Sequence, residues 1–191
     1  STGTGLPIHM SVDLVNWSDD GQVFATKPAW ITTTSSSAPN DLWAPDISSF
    51  GGQYHLYYAA STFGSNTSCI GHATSADVET NTWVDQGPVI CSTSADNWNA
   101  IDPMAVLDDQ GQPWLVFGSF WSGIKLIKLD MTGARSGTEL ASLSTRNNTA
   151  VEAPYLVLHD GYYYLFESVD SCCMGVDSTY QVYVGRSDTI E

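Results

Sequence analysis

Three acidic side chains, Asp46, Asp102 and Glu152, each stand within two residues of a proline at the head of an apolar run. They recur 56 and 50 residues apart. Carboxyl groups held together can do acid–base work, one delivering a proton to a leaving group while another takes one from water. A single acid near a strand start more often caps a turn or a backbone N–H. Recurrence at a repeat position, with differing identities, raises Asp102 and Glu152 above that background. Read as equivalent positions of successive repeat units, all three acids are expected to face one shared channel.

The elements that would position them follow a repeating pattern. After each acid comes an apolar strand, a turn, and a strand ending in aromatic residues. The turns are Gly51-Gly52, Asp109-Gln110-Gly111 and Asp160-Gly161, all of hairpin type. A second block, running from His9 past Trp17, returns from His72 past Trp83 and starts again at Val184. Together the blocks supply four short strands per unit at a period suited to a β-propeller blade. A β-sandwich also uses short strands and Gly turns, but it would not repeat an acid–proline strand at this period. The alignment of Ser1–Ser11 with the segment from Ser61 places the first unit's opening strands upstream of Ser1, and Ile190-Glu191 falls before a fourth strand of the last unit. The expectation is a single incomplete β-propeller catalytic domain over residues 1–191. It runs from the end of a first blade to part of a fourth, with the missing strands on another chain or on further polypeptide. Sheet edges need that closure.

Composition narrows the partners. Six Lys+Arg against 21 Asp+Glu give a formal charge of −15, which excludes nucleic acid and anionic membrane as natural partners. No apolar run reaches the roughly 20 residues of a membrane-spanning helix. Seven Trp, nine Tyr and six Phe suit a sugar ligand, whose apolar faces stack on aromatic rings. Sequons at Asn16, Asn66 and Asn147 lean toward a secreted, glycosylated protein. Cys69 and Cys91 lie symmetrically about turn-like residues near Thr80, where a cross-strand disulfide is expected. The adjacent Cys172 and Cys173 are expected to be two buried thiols. His9 and His72 occupy matching repeat positions and suggest a shared structural role, while His55 and His159 read as strand or turn residues.

Five segments occur in order: Asp41-Leu42-Trp43-Ala44-Pro45-Asp46, Trp98-Asn99-Ala100-Ile101-Asp102-Pro103, Phe117-Gly118-Ser119-Phe120-Trp121, Val151-Glu152-Ala153-Pro154-Tyr155, and Ser171-Cys172-Cys173-Met174-Gly175-Val176-Asp177-Ser178-Thr179-Tyr180. Jointly they resemble glycoside hydrolase family 43, and within it the endo-1,5-α-L-arabinanase group, across essentially the whole chain. The resemblance implies an all-β, five-bladed β-propeller that hydrolyses internal α-1,5-L-arabinofuranosidic bonds of arabinan with inversion. Inversion needs one carboxylic acid on the leaving oxygen and one carboxylate on a water at the opposite face. Glu152 is then the general acid and Asp102 its pKa modulator. The family's base, an Asp-Pro acid on the first strand of the first blade, has no match here. Asp46 corresponds to a structural acid, so the chain alone is expected to be inactive.

The resemblance also implies that Asn99, Ala100, Ile101, Asp102, Ser119, Phe120 and Trp121 line the arabinose subsites, with Trp43, Phe63 and Gly64 flanking the groove. The competing reading of Trp43, Phe120 and Trp121 is inter-blade packing. Tyr57, Tyr58 and Tyr162 to Tyr164 read mostly as core. The family's channel calcium is implied for the complete fold, but no metal ligand is assigned in this chain. The alternatives are an exo-acting arabinanase, an α-L-arabinofuranosidase or a β-xylosidase of the same family, or a carbohydrate-binding propeller without catalysis. The expected partner is arabinan or an arabino-oligosaccharide, met outside the cell.

Overall fold

A computed structural model describes residues 5–31 and 42–191. Asp41 of the first quoted segment and residues 1–4 of the first repeat lie outside that range. The strands are β1 (Pro7–Met10), β2 (Ser18–Gln22), β3 (Leu42–Phe50), β4 (Gln53–Ala60), β5 (Ser68–Ser75), β6 (Val84–Ser92), β7 (Met104–Leu107), β8 (Pro113–Phe117), β9 (Ile124–Lys128), β10 (Ala141–Ser144), β11 (Val151–His159), β12 (Tyr162–Val169) and β13 (Gln181–Ser187). They form four antiparallel meanders: β1-β2, β3 to β6, β7 to β10, and β11 to β13. These are the blades of a β-propeller, the first showing two strands and the last three among the described residues. The opening strand β7 packs beside both β3 and β11, so three blades bring their first strands together.

In the two four-stranded sheets the inner strands β4, β5, β8 and β9 are buried on both faces, so alternation gives way to nearly continuous burial, whereas β12 of the three-stranded sheet is only partly buried. Tyr58 points into a layer with Phe24, Ile31 and Leu56 between the first two sheets. Its neighbour Tyr57 points into the next layer, with Phe50, Leu115 and Phe117. Leu115 and Val116 divide in the same way, Val116 joining Leu126, Val151 and Leu156 beside the fourth sheet. The expected core Tyr57 and Tyr58 have no exposure, whereas of the last tyrosines only Tyr163 is buried.

A shared irregularity governs the three opening strands. In β3 the register slips between Trp43 and Asp46, and in β11 between Glu152 and Tyr155. Before β7, Gly118 N–H donates to Ile101 O at 2.8 Å while Met104 already pairs with Val116. Each is a β-bulge, two residues facing one, and each ends on a proline that has no N–H to lose. The residue before that proline is left-handed in all three blades: Ala44 (φ 44°), Asp102 (φ 54°) and Ala153 (φ 51°). A non-glycine residue held there costs about 1–3 kcal/mol, so its recurrence marks a geometry the fold enforces.

This register corrects the reading of the acids as one repeat position. Counted from the proline, Asp102 matches Ala44 and Ala153, Glu152 matches Trp43 and Ile101, and Asp46 matches Met104 and Tyr155. The acids are staggered along the strand starts because the sequence spacing hid which side of the bulge each occupied.

Two further expectations change. His72 is buried, its Nε2 3.0 Å from His55 Nδ1 in a stack that includes Phe50 and Tyr57. His9 is exposed on β1, so the matching positions do not share an environment. Cys69 and Cys91 face each other across β5 and β6, Cα atoms 4.0 Å apart, and are disulfide-bonded. Cys172 and Cys173 are also bonded to each other, on an exposed loop rather than as buried thiols. The segment around them leaves even Met174 and Val176 exposed, and its one regular element is the 3-10 turn Gly175–Asp177.

Candidate active site

The bulges aim two of the three acids, Asp102 and Glu152, at a common place. Beyond its bulge, Asp46 turns toward β7 and accepts the Ala105 N–H at 2.9 Å. It thereby ties one blade to the next and does not line the cavity. Asp102, on its bulge, reaches the following blade, where Oδ2 accepts the Ala153 N–H at 3.1 Å. Ala153 is the neighbour of Glu152, so this bond sets the two carboxyl groups side by side. Burial, and then the charge of Glu152, push the Asp102 carboxyl up to about 6.

Glu152 receives two donors. The Ser119 hydroxyl donates to Oε2 at 2.9 Å, and the Tyr180 phenol to Oε1 at 2.8 Å. Ser119 is itself buried, on the β8–β9 connection. That connection is pinned to the fourth sheet where Phe120 N–H donates to Val151 O at 2.8 Å. Phe120 and Trp121 both adopt left-handed φ, of 54° and 41°, which turns the two aromatic rings out of the strand direction.

These residues surround a cavity of about 470 Å³ lined by Trp43, Phe63, Gly64, Asn99, Ile101, Asp102, Ser119, Phe120, Trp121 and Glu152. Of the expected contacts only Ala100 is elsewhere: fully buried, it packs in the layer with Phe117 and donates its N–H to Ser92 Oγ. Trp43, Phe120 and Trp121 belong to none of the hydrophobic clusters among the described residues. Phe63 is 93% exposed. Asn99 is buried, and its Oδ1 has no hydrogen-bond partner among the described residues. A buried acceptor left open costs about 1–3 kcal/mol, so it suits a ligand hydroxyl. A largely apolar cleft with paired carboxyls and an open amide acceptor can protonate an ether-type oxygen while stacking a sugar ring.

Sequence reasoning missed Ser61, Thr62 and Ser65, which also line the cavity, and above all Tyr180. The latter closes a quoted segment, but only its contact with Glu152 distinguishes it from the other tyrosines. Among the described residues, no group of three or more His, Cys, Asp or Glu could hold a metal ion. The calcium implied by the resemblance finds no donor set among them. Of the three sequons, Asn66 is buried and its amide donates to the Thr93, Asp96 and Trp98 carbonyls, so it serves the fold. No helix among the described residues is long and apolar enough to cross a membrane.

Comparison with known proteins identifies the family and the fold. The pattern of "Glycosyl hydrolases family 43" matches residues 1–191. The chain is 47% identical over 188 residues to the "Extracellular endo-alpha-(1->5)-L-arabinanase 1" of Bacillus subtilis, covering 97% of this chain and 58% of that one. It is 41% identical over 208 residues to the "Extracellular exo-alpha-(1->5)-L-arabinofuranosidase ArbA" of Cellvibrio japonicus, covering 100% of this chain and 60% of the relative. The solved "GH43 Endo-Arabinanase from Bacillus licheniformis" superposes with a TM-score of 0.93 at 50% identity, over 100% of this chain and 66% of that structure. The chain thus spans about three fifths of the length of the curated relatives it matches.

Proposed function

This chain belongs to family 43 of the glycosyl hydrolases, and on that premise we propose that it carries the acid side of an arabinan-hydrolysing site. The substrate is the α-1,5-linked L-arabinofuranosyl chain, cleaved internally and with inversion, outside the cell. Glu152 protonates the departing glycosidic oxygen. Asp102 lies beside it, anchored on the Ala153 N–H, and holds the acid in place through that shared segment. Trp121, Phe120 and Trp43 form the apolar walls for the sugar rings, and Asn99 Oδ1 accepts from a ring hydroxyl. The carboxylate that activates water is supplied by polypeptide outside these 191 residues. Asp46 does not fill that role, because it lies outside the cavity lining, its Oδ2 accepting the Ala105 N–H instead.

The observation that carries the reading is the pairing of Glu152 and Asp102 at the wall of one aromatic cavity. The names of the relatives, two of them extracellular, support the substrate and the location. Because one relative is named an exo-acting arabinofuranosidase, exo cleavage is the alternative mode.

The test uses the full-length polypeptide on linear arabinan, with proton NMR of the first-formed anomer and sizing of the products. Inverted configuration and a spread of oligosaccharides are expected; a single short product from the outset would assign the exo mode. Glu152→Gln is expected to lower turnover of arabinan by about 10²–10⁴-fold. Retained configuration, or near-normal turnover by that variant, would remove the assignment. The isolated 191-residue chain is expected to give no turnover above background.

A further inference from the structure

We propose that Tyr180 is a positioning residue for the proton donor: its phenol fixes Glu152 Oε1 and leaves Oε2, on the Ser119 side, as the oxygen that bears the transferable proton. This rests on the assignment of Glu152 as general acid. Tyr180 O–H donates to Oε1 at 2.8 Å, and Ser119 O–H meets Oε2 at 2.9 Å. Only the second of these donors lines the cavity. The carboxyl plane is therefore pinned from behind on one oxygen while the other faces the space a substrate would fill. A serine hydroxyl can rotate to accept instead of donate, so Oε2 can carry a proton without losing its partner. Burial pushes the Tyr180 phenol up to about 12, a hydrogen bond with Ser168 acting against it and Glu152 with it, and it stays a donor throughout the range in which an acid could work.

The loop that presents Tyr180 is built to hold it. Ser171 and Thr179 bond reciprocally at its neck, Thr179 N–H to Ser171 O at 3.0 Å and Ser171 N–H to Thr179 Oγ1 at 3.2 Å. Below the neck, Asp170 pairs with Arg146 and accepts from Gln181 Nε2. Above it, the Cys172–Cys173 bond and the Met174 N–H to Ser178 Oγ bond at 3.0 Å close the tip. Tyr180 leaves this closed loop one residue past the neck, directly at the start of β13. A phenol on so constrained a backbone can orient a carboxyl with little loss of rotamer freedom.

Positioning of an acid matters only where the leaving group needs a proton. In the full-length polypeptide, Tyr180→Phe is expected to lower kcat on arabino-oligosaccharides by about 10–100-fold, a part of the roughly 10²–10⁴-fold that general-acid assistance contributes, with KM nearly unchanged. On an arabinofuranoside bearing a dinitrophenolate leaving group, the same variant is expected to turn over within about 3-fold of the parent. A parallel fall on both substrates, or no fall on either, would overturn the proposal. A second measurement needs neither activity nor the phenylalanine variant. Placed at position 180, 3-fluorotyrosine keeps the phenol, and at one fixed pH its fluorine resonance is expected to shift when Glu152→Ala removes the acceptor, and to shift far less for Asp102→Asn, which leaves that hydrogen bond in place. A resonance that Glu152→Ala leaves unmoved would overturn the contact. A shift in a protein that leaves arabinan intact would uphold the positioning and sink the hydrolase reading instead.

Discussion

At the scale of single residues, the site illustrates how activity and stability oppose each other. An aspartate whose folded-state carboxyl sits at about 6, against an unfolded value near 3.8, binds more protons folded than unfolded between those pH values. Its contribution is therefore lost as pH rises through that window, and at pH 7 the charged group costs the fold about 1–3 kcal/mol. Asp102→Asn removes the charge and keeps the shape that accepts the Ala153 N–H. Denaturant unfolding at pH 7 is expected to show a gain of that size, while arabinan turnover by the full-length polypeptide falls about 100-fold or more. A loss of stability would mean that the carboxylate is held by favourable contacts rather than by its blade geometry. Asp102 and Glu152 were readable as a pair because proline marks both segments. Their relation was not. Which side of a bulge a residue occupies depends on strand register, and register is written in cross-strand pairing rather than in spacing along the chain.

Among the elements, glycines report where blades touch. Gly133, in the β9–β10 connection, has φ of +84°, and a Cβ there would lie 2.5 Å from His55 Nδ1 and 2.6 Å from His72 Cε1. The same turn accepts the Tyr57 phenol on Gly133 O at 2.9 Å, so one loop of the third sheet is seated on the histidine stack of the second. Gly137, four residues on, has nearly the same φ, +82°, but nothing near its would-be Cβ. Gly137→Ala is expected to cost only the left-handed penalty, about 1–2 kcal/mol. Gly133→Ala adds a clash with rings that cannot yield and is expected to cost about 2–4 kcal/mol in denaturant unfolding. Equal costs would show that the stack moves freely. The meander of four strands was visible in the sequence through its turns and double-faced apolar strands, and Cys69–Cys91 followed from hairpin symmetry. The histidine stack was not, because His9 and His72 match in sequence while only the latter has a neighbouring blade's loop over it.

Over the whole molecule, pH acts through buried groups of opposite sense. His72 is 2% exposed, and burial, then the neighbouring His55, lower it to about 4, with Asp130 acting weakly against that. Its unfolded value is near 6.5, so the unfolded chain binds the extra proton as pH falls from 6.5 to 4. Stability drops across that window by about 3 kcal/mol. His55, lowered mainly by burial, adds to the loss. Asp102 works in reverse, since the folded protein takes up its proton near pH 6 and the unfolded chain only near 3.8; stability rises by about 3 kcal/mol as pH falls through that range. Asp46, raised by burial, adds to this gain. The two effects oppose each other within one window, so the parent profile between pH 6.5 and 4 is expected to lie between those of variants that lack either group, at constant ionic strength. Asp102→Asn removes one side of the balance and should lose about 3 kcal/mol over the same interval. His72→Gln removes the other and should grow more stable toward acid. Relief of the repulsion within a chain of net charge −15 acts on all three proteins alike, so the differences between their profiles isolate the two groups. Three parallel profiles would mean that neither group is held away from its ordinary protonation by the fold.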